Sequence, residues 1–194
     1  WLQLINQFFA PDAIIHFQLT CEENENVKTR SFELNPHTLA HYFYFNRKSG
    51  IIKQCYSMEN PTEHMLGPLG RLLECDTTTV LDVHKNGTKV HHEAGLSIYF
   101  NTQNLIDLWE FRTHTHIELL PRVFVDTLRN SSHHNTMGSK KLGSGKGGDN
   151  HPKLNSSMTL IPESPVTGYG VPEQTIRTLE ISETLNHMKD IMAY

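Results

Sequence analysis

Two alternating runs flank Asn86-Gly87, and this hairpin signal limits the fold more than any other feature. Thr78 to His84 and Lys89 to Phe100 are rich in β-branched and aromatic residues. Asn-Gly suits a two-residue turn with positive φ at both central positions. A third long run, from about Leu105 to Leu119, follows at once. In it Trp109, Phe111, Thr113, Thr115 and Ile117 share one face, and Glu110, Arg112, His114, His116 and Glu118 share the other. Pro121 ends it. Three long strands in succession demand an antiparallel sheet, and its apolar face demands a cover.

The residues before this block supply the cover. Leu2 to Phe9 reads as a short apolar helix stopped by Pro11. Ala13 to Thr20 alternates as a strand, with Val27 to Leu34 as its partner across an acidic turn. Asn35-Pro36 opens a helix, Asn35 as the cap and Pro36 in the first turn, and that helix closes near Gly50. Ile51 to Met58 is a further strand, closed by Asn60-Pro61. Helices and long antiparallel strands together give an α+β domain, a curved sheet with helices in its concave face.

The composition changes sharply near residue 129. Residues 129 to 157 hold Gly138, Gly143, Gly145, Gly147 and Gly148 and almost no large apolar side chain. Such a stretch buries too little surface to offset its ordering entropy and reads as a linker. Five cations against Asp149 give it a net charge of +4, so the rest of the chain carries -8 of the total -4. The division read from this is a folded domain over 1–128, a Gly/Ser/Lys linker over 129–168 and a helical segment over 169–194. In the last, Ile181, Leu185, Met188 and Met192 fall at i, i+4, i+7 and i+11, and Ile176 and Leu179 extend the apolar side toward Pro172. A helix of about 20 residues does not hold itself together alone, so it docks on its own domain or on a partner.

Several functions are disfavoured. The acidic balance opposes direct wrapping of nucleic acid. No apolar run reaches the ~20 residues of a membrane span. The chain begins at Trp1, shows no charged start before an apolar run, and reads as part of something longer. Cys21, Cys55 and Cys75 form no C-x-x-C pair, and free thiols suit the cytosol or nucleus. Sequons at Asn86, Asn130 and Asn155 read as chance in an Asn- and Ser-rich chain. Gly143-Ser-Gly-Lys-Gly-Gly148 lacks the first glycine and the hydroxyl residue of a phosphate loop. Of thirteen histidines, His84, His91, His92, His114 and His116 gather on the predicted hairpin and last strand. Asp82, Asp107 and Glu110 are available as carboxylates, yet no metal-ligand spacing stands out, and a polar sheet surface explains the alternation equally. No cofactor and no catalytic group is assigned.

Four segments carry a family resemblance. Trp1 with Phe8-Phe9-Ala10-Pro11-Asp12-Ala13 resembles the opening of the LIM-domain-binding proteins, a family including Chip and plant SEUSS. Leu108-Trp109-Glu110-Phe111 and His116 to Arg122 resemble the family's last strand and its exit. Ile176 to Glu183 with Met188-Lys189-Asp190 is similar to the segment after the dimerisation domain of SEUSS-type members, and the helix around His37 to Phe45 matches in character. The nearest relatives read as fungal and plant members.

The resemblance implies a cone-shaped α+β domain like nuclear transport factor 2, with no enzymatic role. It implies a nuclear transcriptional adaptor that self-associates as a homodimer and reaches DNA only through partners. The segment from Tyr169 to Tyr194 would dock a LUFS-domain regulator, a class that includes fungal morphogenesis activators. Ile176, Leu179, Ile181, Leu185, Met188 and Met192 would be the apolar anchors, with Arg177 and Lys189 as orienting charges. Arg112, His114 and His116 are the expected self-association residues. Animal members add a C-terminal LIM-interaction segment, which no stretch here matches. The rival reading is a small-molecule binder or an isomerase or dehydratase with Asp82 and His114 inside the cone. Its test is whether aromatics such as Phe9, Tyr42 and Trp109 fill that space.

Overall fold

The structure, a computed structural model, describes residues 1–23, 26–126 and 163–192, with side chains left undescribed at 185–187 and 189–192. Helix α1 (Leu2–Phe8) leads into β1 (Phe9–Glu23), which pairs antiparallel with β2 (Asn26–Leu34). Helix α2 (Pro36–Lys48) then carries the chain to β3 (Ile51–Glu59) and the short β4 (Thr62–Met65). A single 3-10 turn (Gly67–Leu69) precedes β5 (Arg71–His84), β6 (Lys89–Phe100) and β7 (Ile106–Leu119). Helix α3 (Glu173–Met192) comes last.

The seven strands form one curved sheet in the order β2-β1-β7-β6-β5-β3, with β4 also on β5. Most pairs are antiparallel, but β1 runs parallel to β7, so the sheet is mixed. The chain starts at one edge, crosses by α2 to the other, and returns through the β5-β6-β7 meander to close beside β1. The core fills the space between this sheet and the helices. It draws Ile5 from α1, Ile15 and Phe17 from β1, Leu39 and Tyr42 from α2, Leu96 and Phe111 from the meander, and Ile176 and Leu179 from α3.

Local chemistry sets the element ends. The Asn35 side chain accepts from the Thr38 N–H at 3.0 Å, while the Thr38 hydroxyl oxygen accepts from the Asn35 N–H at 2.9 Å. This reciprocal cap, followed by Pro36, fixes the start of α2. The hairpin turn differs from the expected two-residue form. Gly87 has φ of +86°, whereas Asn86 is not in the positive region. The Gly87 N–H donates to the His84 carbonyl and the His84 N–H to the Thr88 carbonyl, each at 2.9 Å. The turn thus holds three residues, Lys85 to Gly87, with only the last left-handed.

Two contact-defined compact units divide the chain. The larger comprises residues 1–119 and 165–194, so α3 belongs with the sheet. The smaller spans 120–164, of which a helical turn over 122–126 and residues 163–164 are described. The expected linker over 129–168 lies outside the described residues as far as 162. From Thr167 onward the backbone is hydrogen-bonded in a turn.

Candidate functional site

The tail reaches the domain through a strap over residues 165–172. The Thr167 N–H and hydroxyl both donate to the Val171 carbonyl at 2.9 Å, and the Gly170 N–H donates to Thr167 at 2.8 Å. Gly170 needs to be glycine twice over. Its φ is +73°, and an added Cβ would lie 2.6 Å from His92 Cε1 and 2.8 Å from His116 Cγ. The strap at Gly170 therefore lies close against two imidazole side chains.

Helix α3 then docks by one side. Thr175, Ile176, Leu179 and Ser182 are buried, Leu179 at 1% exposure. The Thr175 hydroxyl donates to Asn46 Oδ1 on α2 at 2.7 Å, wholly inside the fold. At the rim, Arg30 on β2 pairs with Glu180 at 2.7 Å and stacks over Phe32. The opposite side faces outward. Arg177 is held by Glu173 at 2.5 Å, one turn back, while Ile181 is 60% exposed and Met188 50%. At about 100° per residue, Arg177, Ile181 and Met188 form one outward stripe, and Ile176 and Leu179 stand across the helix from it.

The expected anchor set thus divides between two faces. Ile176 and Leu179 lie inside the chain's own core, and Ile181 and Met188 lie on the open side. Leu185, Lys189 and Met192 have side chains outside the described residues.

A bulge alters the last strand. On β6 and β7, Glu93 faces Thr115 but Ala94 faces Thr113, which leaves His114 as an extra residue. Every side chain beyond it changes face. Phe111 and Thr113 point inward as expected, Thr115 and Ile117 turn outward, and His116 turns in beneath Gly170. His114 and His116 therefore do not share a face, and of the expected self-association residues only Arg112 and His114 stand on the outer surface. That surface is polar, with His16 between Glu33 at 3.2 Å and Glu110 at 3.4 Å.

The partner of Asp82 comes instead from β6. His92, not His114, meets it at 3.6 Å, both nearly fully buried. Around them Tyr42, Asn46, Tyr56 and Val171 enclose a cavity of only about 10 Å³. Burial, then the Asp82 charge, pushes the Tyr42 hydroxyl far above its usual range, against smaller lowering contributions from Asn46 and Gln54. Burial holds His84 and His116 below the ordinary imidazole value. Asp82 Oδ1, His92 Nδ1 and Asn46 Nδ2 have no hydrogen-bond partner among the described residues. Among these residues no group of three His, Cys, Asp or Glu side chains is arranged to hold a metal ion, and no helix is long and apolar enough to cross a membrane. Sequence reasoning named Asp82 and His92 without pairing them, and it missed Asn46 and Gly170.

The family model of the LIM-domain binding proteins matches residues 1–194. The chain belongs to this family. Adhesion defective protein 1 of Schizosaccharomyces pombe is 23% identical over all of this chain and 51% of that protein. Transcriptional activator ptaB of Aspergillus fumigatus is 25% identical over all of the chain and 26% of its own length. Transcriptional corepressor SEUSS of Arabidopsis thaliana is 22% identical over all of the chain and 25% of its own length. The chain thus spans from about half to a quarter of these relatives. Among solved structures, a putative scytalone dehydratase from Novosphingobium aromaticivorans aligns with a TM-score of 0.41 at 7% identity, over 62% of this chain and 76% of that one.

Proposed function

We propose that this chain is the scaffold segment of a non-enzymatic, nuclear transcriptional co-regulator. It self-associates, and it docks a LUFS-domain regulator on the outward side of α3, so DNA is reached only through partners. The observation that carries the reading is the two-sided helix: one side held by the domain, the other presenting Ile181 and Met188 to solvent. Exposed apolar residues on a helix already held in place suit recognition, because the ordering entropy of the helix is spent before the partner arrives. Relatives with names such as transcriptional activator and transcriptional corepressor support the same class. Two protomers, each offering one helix, would join two weak contacts by avidity.

The buried Asp82–His92 pair favours the rival enzyme reading, but a cavity of about 10 Å³ holds one water at most and no substrate. Light scattering separates the readings. The expected result is a dimer mass for the chain alone and a larger complex when a LUFS-domain protein is added. Ile181→Asp should keep the first mass and the thermal melt and lose the complex. A monomer that ignores the LUFS protein would overturn both parts of the proposal.

A further inference from the structure

Beneath the strap lies a polar cluster that a scaffold does not require. We propose that it makes the docked tail a protonation-sensitive latch: charging His116, beside His92, lifts Gly170 and Val171 off the rings and loosens α3 from the domain. This property belongs to the chain alone and does not depend on what the outward side of α3 binds.

The geometry carries the inference. His92 and His116 stand with ring centroids 6.0 Å apart on adjacent strands, and the strap backbone covers both. An imidazolium needs water or an anion, and the strap excludes water from the covered faces. Two carboxylates and a third imidazole stand around the pair. From β5, Asp82 faces His92 at 3.6 Å and His84 stands one inward position further. From β7 come His116 itself and Glu118, which acts on His84 and on His116. From α2 and β3 come the hydroxyls of Tyr42 and Tyr56, both kept neutral by burial. Tyr169 of the strap acts on Lys28, while Gly170 lies against both rings and Val171 lines the cavity beside His92. A proton on His116 meets the neighbouring His92 ring in a half-buried site beneath the strap.

The direction follows from linkage. Burial, then His92, holds His116 below its ordinary value against a weaker pull from Glu118, and burial does the same at His84. The docked form therefore binds fewer protons than the released form, whose rings titrate near 6.5. Docking is complete above that value and weakens as pH falls through it. The unpartnered atoms of Asp82 and His92 add to the cost of the closed state.

Amide exchange on the full chain, corrected for intrinsic rates, tests this between pH 7.5 and pH 5.5. Protection of residues 170–184 should drop on the order of tenfold for each proton gained per pH unit, while residues 90–98 of β6 stay protected. Gly170→Ala should show the low protection already at pH 7.5, and His116→Gln should flatten the pH dependence. The imidazole resonances of the unaltered chain give a check free of variants: His116 should titrate below 6.5 in step with tail opening. The proposal fails if tail protection is independent of pH, if tail and sheet open together, if His116→Gln keeps the full dependence, or if His116 titrates at or above 6.5.

Discussion

Leu179 is 1% exposed against the domain, and Ile181, two residues on, is 60% exposed. Truncating the first removes packed methyl groups and leaves a cavity, so Leu179→Ala should lower the unfolding free energy by about 2–5 kcal/mol. Ile181→Ala removes surface already in water and should stay within about 0.5 kcal/mol. Urea titrations of the two variants decide it; equal losses would mean that α3 is not held as described. Helical spacing made both residues visible as apolar positions. It could not say which side the domain takes, because a period of 3.6 orders residues around an axis and is silent on what covers each side. His114 and His116 come to lie on different faces for another reason. One inserted residue in β7 breaks the alternation, and nothing in the run Thr113-His114-Thr115-His116 marks where it sits.

At the scale of elements, chemistry confined to a few neighbouring residues was legible. Asn35 and Pro36 announce α2, and β6 begins and ends where its alternation does. Where the partner strand decides, the reading slipped. β1 begins at Phe9 and passes through Pro11 because the ladder to β7 is interrupted between Phe9 and Ile14, so the missing proline N–H is not needed there. β4 is four residues between turn signals and gains its strand character only from β5. The hairpin turn offers a test of its observed form. Gly87→Ala forces a Cβ into φ +86° and should cost on the order of 1 kcal/mol or more. Asn86→Ala removes only the side-chain acceptor of the Thr88 N–H, at 3.0 Å, and should cost about 0.5–1.5 kcal/mol. A two-residue turn with both centres left-handed would instead make Asn86→Gly close to neutral, and thermal melts of the three variants distinguish the cases.

For the whole molecule, the decisive fact is that the space around Asp82 and His92 on the inner face of the sheet is only about 10 Å³. The parallel seam of β1 with β7 brings together segments some ninety residues apart and places Phe17 against Phe111, Trp109 and Tyr42. No local pattern encodes that seam; it follows from the path of the chain from one edge of the sheet to the other and back. Tyr42 reports on that space. It is 7% exposed, and burial followed by the Asp82 charge disfavours its phenolate. Its folded value therefore lies above the unfolded value near 10, so the folded form holds a proton that the unfolded form releases. Stability is unaffected by this group below about pH 10 and falls as pH rises beyond it. Tyr56 is also pushed up by burial yet keeps 37% of its surface exposed, which makes Tyr42 the cleaner reporter. In an alkaline titration followed at the phenolate absorbance, the chain's six tyrosines should not ionise together. Tyr42 should ionise last, in one step with the loss of far-ultraviolet circular dichroism, and Tyr42→Phe should remove that step. A smooth titration of all six near pH 10, with the dichroism unchanged, would mean that water reaches the interior and that the sheet encloses an open pocket after all.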